Sequence, residues 1–229
     1  EEFFDHLVAE LEQDDTVMSR HYYKFWQSSG DGRHYFRKNY FMRRLEFVRD
    51  HVGSKTNTVW DVGCGFGTTD IFLALNGYRV HGITIESQFS DRLAPRLAYW
   101  SRFGDISGFT WAHENLLESD IGQATVDRII VQDTLHHLEP IGAALAKLKH
   151  ALKPGGSVFA IEENGNNIVQ RLLLLKRRGT RRVVEIHDET LGKTILMGNE
   201  NIRSLNTWRG LCVESGLSIA DWEYIRLLP

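Results

Sequence analysis

Only two cysteines, Cys64 and Cys212, occur in the 229 residues, and neither stands in a CxxC pair or a Cys/His ligand spacing. That excludes a disulfide framework and predicts no structural zinc. No apolar run approaches the roughly 20 residues that span a bilayer. A surplus of charge is missing too: 27 basic against 30 acidic side chains leave a formal net charge of -3. Wholesale binding to phosphate backbones needs a basic footprint, so no nucleic-acid partner is expected. The opening stretch EEFFDHLVAE carries neither the basic nor the apolar region of a signal peptide, and the chain therefore reads as cytoplasmic, with peripheral membrane contact at most. Since it opens on Glu1 rather than Met, the chain is expected to be trimmed. Hydrophobic residues at 42% and charged residues at 25% are those of a globular protein that buries a real interior, and the length fits one domain.

What is present is a change of pattern at Thr58. Before it, FFDHLVAELE, HYYKFW and YFMRRLEFVRDHV predict a helical cap over residues 1–57. After it, the β-rich runs TVWDV, YRVHGITI, FTWAHEN, VDRIIVQ and SVFAIEE alternate with helical segments such as TTDIFLALN and IGAALAKLKHALKPGG. That alternation predicts a doubly wound α/β core over residues 58–163, with a mostly parallel sheet covered by helices. Residues 164–229 read as an acceptor-side part of the same single domain. There a helix over Ile168–Leu175 precedes a basic loop, KRRGTRR. A hairpin in RVVEIHDETLGKTILMG turns near Glu189 to Lys193, a helix follows over about Glu200 to Ser215, and LSIADWEYIRLLP supplies a terminal strand to a seven-stranded type of sheet.

Val59 to Gly67 reads VWDVGCGFG, an apolar strand ending in an acid and entering a turn with glycine at alternate positions. Glycine permits φ > 0 and removes the Cβ that would meet a ligand, and the next helix offers free N–H groups at its start. A plain strand-to-helix turn would look similar, as would a dinucleotide-binding loop, but the later glycine of the dinucleotide pattern is missing. Three further segments follow in order: VHGITIE, VDRIIVQDTLHHLEP and LKPGGSVFAIEE.

Together the four segments resemble the class I S-adenosylmethionine-dependent methyltransferase family over about residues 58–163. The resemblance implies S-adenosylmethionine as cofactor, with its methionine part against Asp61, Gly63, Cys64, Gly65 and Gly67. At the tip of the second strand, where this family commonly has an acid that holds the ribose, stands Thr84. Ribose binding then falls to Thr84 with Glu86 or Gln88, although Glu86 also suits an exposed helix start. Glu114 and Asn115 fall at the adenine position, where one of them equally caps the next short helix. Asp133 after the fourth strand is assigned to the cofactor site or to a helix cap.

His136 and His137, at the carboxyl edge of that strand, are the catalytic candidates: a neutral imidazole takes a proton from an attacking hydroxyl or amine. Packing on the cofactor is the competing reading. His187 and Asp188 are adjacent on the hairpin, point to opposite faces, and are not expected to pair. Tyr22, Tyr23, Tyr35, Arg37 and Tyr40 of the cap and Arg177, Arg178, Arg181 and Arg182 of the basic stretch are expected to wall the acceptor. The tail, with GNENIRS and Trp208, is similar to methyltransferases associated with bacterial surface glycans. The expected function is therefore methyl transfer, foremost O-methylation, to a small polar or a glycan- or lipid-linked acceptor. N- or C-methylation of a small metabolite and a non-catalytic, cofactor-binding regulatory subunit are the alternatives. No metal requirement is expected, because no ligand cluster is visible in the sequence.

Overall fold

The computed structural model describes residues 2–14, 16, 20 and 33–225. The expected helix at HYYKFW, with Tyr22 and Tyr23, lies outside the described residues, as do the side chains of Tyr35 and Arg37. Five short runs rich in Val, Ile and aromatic residues form one sheet: β1 (Val59–Val62), β2 (Val80–Thr84), β3 (Phe109–His113), β4 (Val126–Gln132) and β5 (Leu152–Ile161). Their order is β3-β2-β1-β4-β5, and every neighbouring pair is parallel. Parallel neighbours need crossovers, and crossovers place helices on both faces.

Side chains leave the sheet alternately to two cores. Ile130 joins Val59, Val80 and Phe109 on one face, while Ile129 and Val131 enter the other. The first face is covered by α1 (Glu2–Glu12), α2 (Arg33–Val52), α3 (Thr68–Leu75) and α4 (Ser87–Trp100), which contribute Phe4, Val48, Ile71 and Leu93. The second is covered by α5 (Ile141–Ala151) and α7 (Leu205–Glu214), through Leu145, Leu148 and Trp208. Pro154-Gly155-Gly156 does not merely stop α5. It bulges out of β5, since Val126 pairs with Leu152 but Arg128 already pairs with Ser157.

One buried ion pair ties α1 to the rest. Arg96 of α4 donates from Nε and Nη2 to the two carboxylate oxygens of Glu10, at 2.9 and 2.8 Å. Its Nη1 reaches the hydroxyl of Thr68 at 2.8 Å and the carbonyl of Phe66. Trp100 adds an indole N–H to Glu10 at 2.8 Å.

The carboxyl-terminal third departs from expectation. Among the described residues the sheet has five strands rather than seven, and β6 (Val183–Asp188) and β7 (Lys193–Gly198) pair antiparallel as a separate hairpin. Residues 217–225 form no strand: Leu217 and Ile219 pack on the second core, but Trp222 and Tyr224 stay exposed, so the alternation seats the chain without giving it a hydrogen-bonded neighbour. Helix α6 (Ile168–Arg178) runs beyond Leu175, making Lys176, Arg177 and Arg178 its last turn rather than a loop. The last helix begins only at Leu205, where the hydroxyl of Ser204 accepts from the Thr207 N–H at 3.2 Å and caps it.

Candidate functional site

The order of the sheet reverses between β1 and β4, and in an open α/β sheet the loops leaving such a pair diverge and open a crevice at the carboxyl ends of the strands. The loop after β1 carries Gly63, Gly65 and Gly67 at φ of +84°, +53° and +65°. Their surroundings separate their duties. A Cβ on Gly63 would lie 2.2 Å from the Thr134 hydroxyl, and one on Gly67 2.7 Å from Leu93 and Phe109. A Cβ on Gly65 would meet nothing closer than the Gly63 carbonyl at 4.0 Å. Gly63 and Gly67 therefore answer to packing between elements, whereas Gly65 opens on the crevice. Gly67 is not part of its lining.

The crevice encloses about 1450 Å³, more than the roughly 300–1000 Å³ of an ordinary ligand pocket. It has room for two ligands. Asp61, Thr84, Glu86, Glu114, Asn115 and Asp133 all line it. Cys64 contributes backbone: its Sγ sits against Gly82, and burial pushes the thiol pKa well up. Gln88 is exposed and outside the lining, and its amide donates to Glu86. No helix follows Asn115 before β4; its Oδ1 accepts from the Leu117 N–H at 3.1 Å and closes a turn instead.

Behind the glycine loop Asp61 faces Asp70 of α3, both buried. No local pattern marks this pair, because Asp70 stands in the first turn of its helix, where an acid is ordinary. Burial lifts the pKa of Asp61 to about 7 and that of Asp70 well above the usual range, Asp70 being raised further by the Asp61 charge. Carboxyls that keep protons in the fold but lose them near pH 4 when unfolded destabilise the fold as pH rises from about 4 to 7. Asp70→Asn should leave the melting temperature unchanged at pH 4 and raise it at pH 7. One pKa unit of relief is about 1.4 kcal/mol, roughly 3–6 °C for a domain of this size. Calorimetric scans at the two pH values check it; an advantage that shrinks with rising pH would refute the shared-proton reading.

On the other side of the crevice, the chain leaving β4 turns at Asp133, φ +49°. Asp133 caps no helix but pairs with Arg44, which reaches over from α2. His136 is buried at 4% exposure. Its Nδ1 lies 2.7 Å from Glu162, just after β5, and its other nitrogen 3.7 Å from Glu200. Burial draws the His136 pKa down, but Glu162, Glu200 and Asp133 together outweigh it and hold the ring above its ordinary value. His137 stands beside it, the ring centroids 4.1 Å apart, with Nδ1 3.0 Å from the carbonyl of Gly198.

His187 is exposed and Asp188 buried, on opposite faces of β6 as period-two alternation requires. Asp188 finds its partner elsewhere. It accepts from His113, at the end of β3, at 2.9 Å and fastens the hairpin beside the crevice. Burial raises its pKa, but the Leu191 N–H and His113 win and leave it low. Tyr40 and Arg44 line the crevice, whereas Arg177, Arg181 and Arg182 are exposed and, with Arg178, absent from its lining.

Residues 60–158 match the model of a family described as a methyltransferase domain. An uncharacterized methyltransferase of Mycobacterium tuberculosis is 27% identical over 106 residues, covering 46% of this chain and 50% of that protein. A ubiquinone biosynthesis O-methyltransferase of Nitrosococcus oceani is 30% identical over 116 residues, covering 51% of this chain and 48% of its own length. The chain spans about half the length of these relatives. Among solved structures, a phosphoethanolamine N-methyltransferase of Haemonchus contortus bound to S-adenosyl-L-methionine matches with a TM-score of 0.57 at 16% identity, over 76% of this chain and 36% of that one. That likeness is one of fold.

Proposed function

Because the chain belongs to the class I S-adenosylmethionine-dependent methyltransferase family, we propose that it methylates a hydroxyl oxygen on an acceptor carried at a membrane surface. The donor half of this reading is carried by Gly65. Its missing side chain leaves open space at the mouth of β1, where a bound cofactor's methionine part would lie against backbone, with Asp61 below, Thr84 and Glu86 toward the ribose and Glu114 toward the adenine. Asp61 Oδ1 is buried with no partner among the described residues, which suits an acceptor awaiting a cationic donor. When bound, the cofactor supplies an electrophilic methyl group on a sulfonium sulfur. The acceptor oxygen bonds to that carbon as the carbon–sulfur bond breaks and its electron pair stays on sulfur. His136 and His137 hold the acceptor hydroxyl where it gives up its proton, and the two loops fix the approach of the reacting atoms, which is most of what methyl transfer asks.

The acceptor half rests on α6. Ile168, Val169, Leu172, Leu173 and Leu175 are 70, 55, 61, 46 and 54% exposed, while Leu174 is buried. At 100° per residue those five fall within an arc of roughly 160°, with Leu174 on the opposite side. An apolar stripe facing away from the protein, followed by Lys176, Arg177, Arg178, Arg181 and Arg182, has the make-up of a helix lying in the headgroup region of an anionic bilayer. Asn167, which caps this helix, and Gln170 within it line the crevice, so an acceptor anchored in the bilayer would enter beside it. The bland alternatives, a solvated basic run and a free polar acceptor, leave the stripe unexplained.

The test uses S-adenosylmethionine labelled in its methyl group, vesicles with and without anionic lipid, and a host lipid extract. Label should pass to the lipid fraction as a base-stable ether, and the protein should sediment with anionic vesicles only. Leu172→Gln with Leu175→Gln should cut sedimentation by at least about tenfold, two leucines being worth several kcal/mol of burial, with cofactor affinity unchanged. Label recovered in water-soluble material would make the acceptor a free metabolite or glycan.

A further inference from the structure

His136 and His137 on the loop after β4, and Glu200 just past β7, are brought together by the fold. One potential ligand atom of each lies within 4.8 Å of the other two. Both imidazoles are held from behind. One oxygen of Glu162 faces His136 Nδ1 at 2.7 Å, while its other accepts from the N–H groups of Thr134 and Leu135 at 3.0 and 2.7 Å. The Gly198 carbonyl, 3.0 Å from His137 Nδ1, can only accept, so the proton of that ring sits on Nδ1 and the lone pair on Nε2. The Glu162 carboxylate fixes His136 in the same tautomer. A carboxylate and a backbone carbonyl behind two imidazoles are the partners that orient histidines toward a metal.

We propose that His136 Nε2, His137 Nε2 and the Glu200 carboxylate bind a divalent transition metal ion, Zn²⁺ by their chemistry, with an open coordination position facing the acceptor side of the crevice. Two histidines and one carboxylate with a free position form the donor set of catalytic zinc. Ligands about 2.1 Å from such an ion lie about 3.4 Å from one another, and His136 Nε2 is already 3.7 Å from Glu200. The carboxylate is the adjustable arm, with a side chain 42% exposed. Its backbone holds φ +55°, a left-handed turn uncommon for glutamate, which returns the chain toward the histidines: the next residue, Asn201, donates its N–H to the His136 carbonyl at 3.0 Å.

This deepens the proposed function, on which the identity of the acceptor oxygen rests. A hydroxyl bound at the open position has its pKa lowered. It releases its proton to water in the crevice and meets the methyl carbon as an oxyanion, with the histidines serving as ligands rather than bases.

The experiment titrates chelator-stripped, desalted protein with Zn²⁺ by calorimetry and with Co²⁺ by visible absorption, and titrates S-adenosylmethionine in parallel in the presence of chelator. One ion per chain is expected. His137→Ala and Glu200→Gln should each weaken Zn²⁺ binding by about 100-fold and Glu162→Gln by about 10-fold, and the Co²⁺ bands should change in Glu200→Gln. Circular dichroism confirms the fold of each variant; Glu200, at the surface, is the one least able to disturb it. Absence of stoichiometric binding, or binding that both ligand variants leave unaltered, overturns the site. Normal cofactor binding without Zn²⁺ binding does so while sparing the methyltransferase reading; Zn²⁺ binding without cofactor binding supports the site and removes that reading.

Discussion

Gly65→Val should lower affinity for S-adenosylmethionine by at least about 100-fold while the protein stays folded. Two effects act at position 65. The backbone there holds φ +53°, which a β-branched residue adopts only at a cost of roughly 1–3 kcal/mol. The side chain would also enter the space left open above the loop, where the proposed site for the methionine part lies. Strain alone can be measured separately, because Gly155 has φ +80° and open space around it in the β5 bulge. Gly155→Val should therefore cost stability but not affinity. Calorimetric titration of both variants, alongside their melting curves, makes the comparison. Equal losses of affinity would mean that the loop responds to strain in general, and a Gly65→Val protein of normal affinity would move the cofactor elsewhere. Gly63→Val would be a poorer experiment, since it drives a side chain into Thr134 and confuses binding with misfolding.

The largest loss of stability should come from the buried pair beneath the loop. Arg96 and Glu10 side chains are 3% and 7% exposed, and truncating one member of such a pair leaves the other charge buried without its partner, a cost of about 3–5 kcal/mol. Glu10→Ala should therefore lower the melting temperature by roughly 6–20 °C. Glu10→Gln, which keeps two of the hydrogen bonds but not the charge, should fall between. A change under about 2 °C in Glu10→Ala would show that water or a neighbour compensates the guanidinium. The same variant reports on function, because Arg96 also binds the Phe66 carbonyl and the Thr68 hydroxyl, on the far end of the glycine loop. The buried pair fixes that end of the loop from below.

What the sequence disclosed and what it withheld follow from the range of the interactions. The five strands and the glycine loop are local: apolar runs, one acid and three glycines lie within Val59 to Gly67, and alternation tells strand from helix without reference to distant residues. The opposite faces of His187 and Asp188 were legible for the same reason. Pairings across long separations were not. His113 and Asp188 are 75 residues apart, Glu10 and Arg96 are 86 apart, and Arg44 and Asp133 are 89 apart. In sequence each is an ordinary polar residue on an element. Glu200 was hidden in this way, which is why a histidine pair could be seen but not the third member of the proposed metal site. The expected seven strands failed for a related reason: β6, β7 and the tail carry strand-like alternation, and alternation specifies a half-buried ribbon without naming the edge it joins.

Helix α6 buries one side chain, Leu174, and Gln170 adds a hydrogen bond to Glu163 at 2.7 Å. Few buried contacts mean a low free energy of local opening, so among the helices its amides should exchange with solvent early, by excursions that leave the sheet intact. If a bilayer receives the outward stripe, burial of five aliphatic side chains adds to the few contacts the protein supplies, and the order of that wall of the crevice is set largely from outside. Membrane surface then acts thermodynamically as a ligand. By linkage, whatever fills the crevice beside Asn167 and Gln170 strengthens attachment to lipid by the same factor as lipid strengthens its own binding.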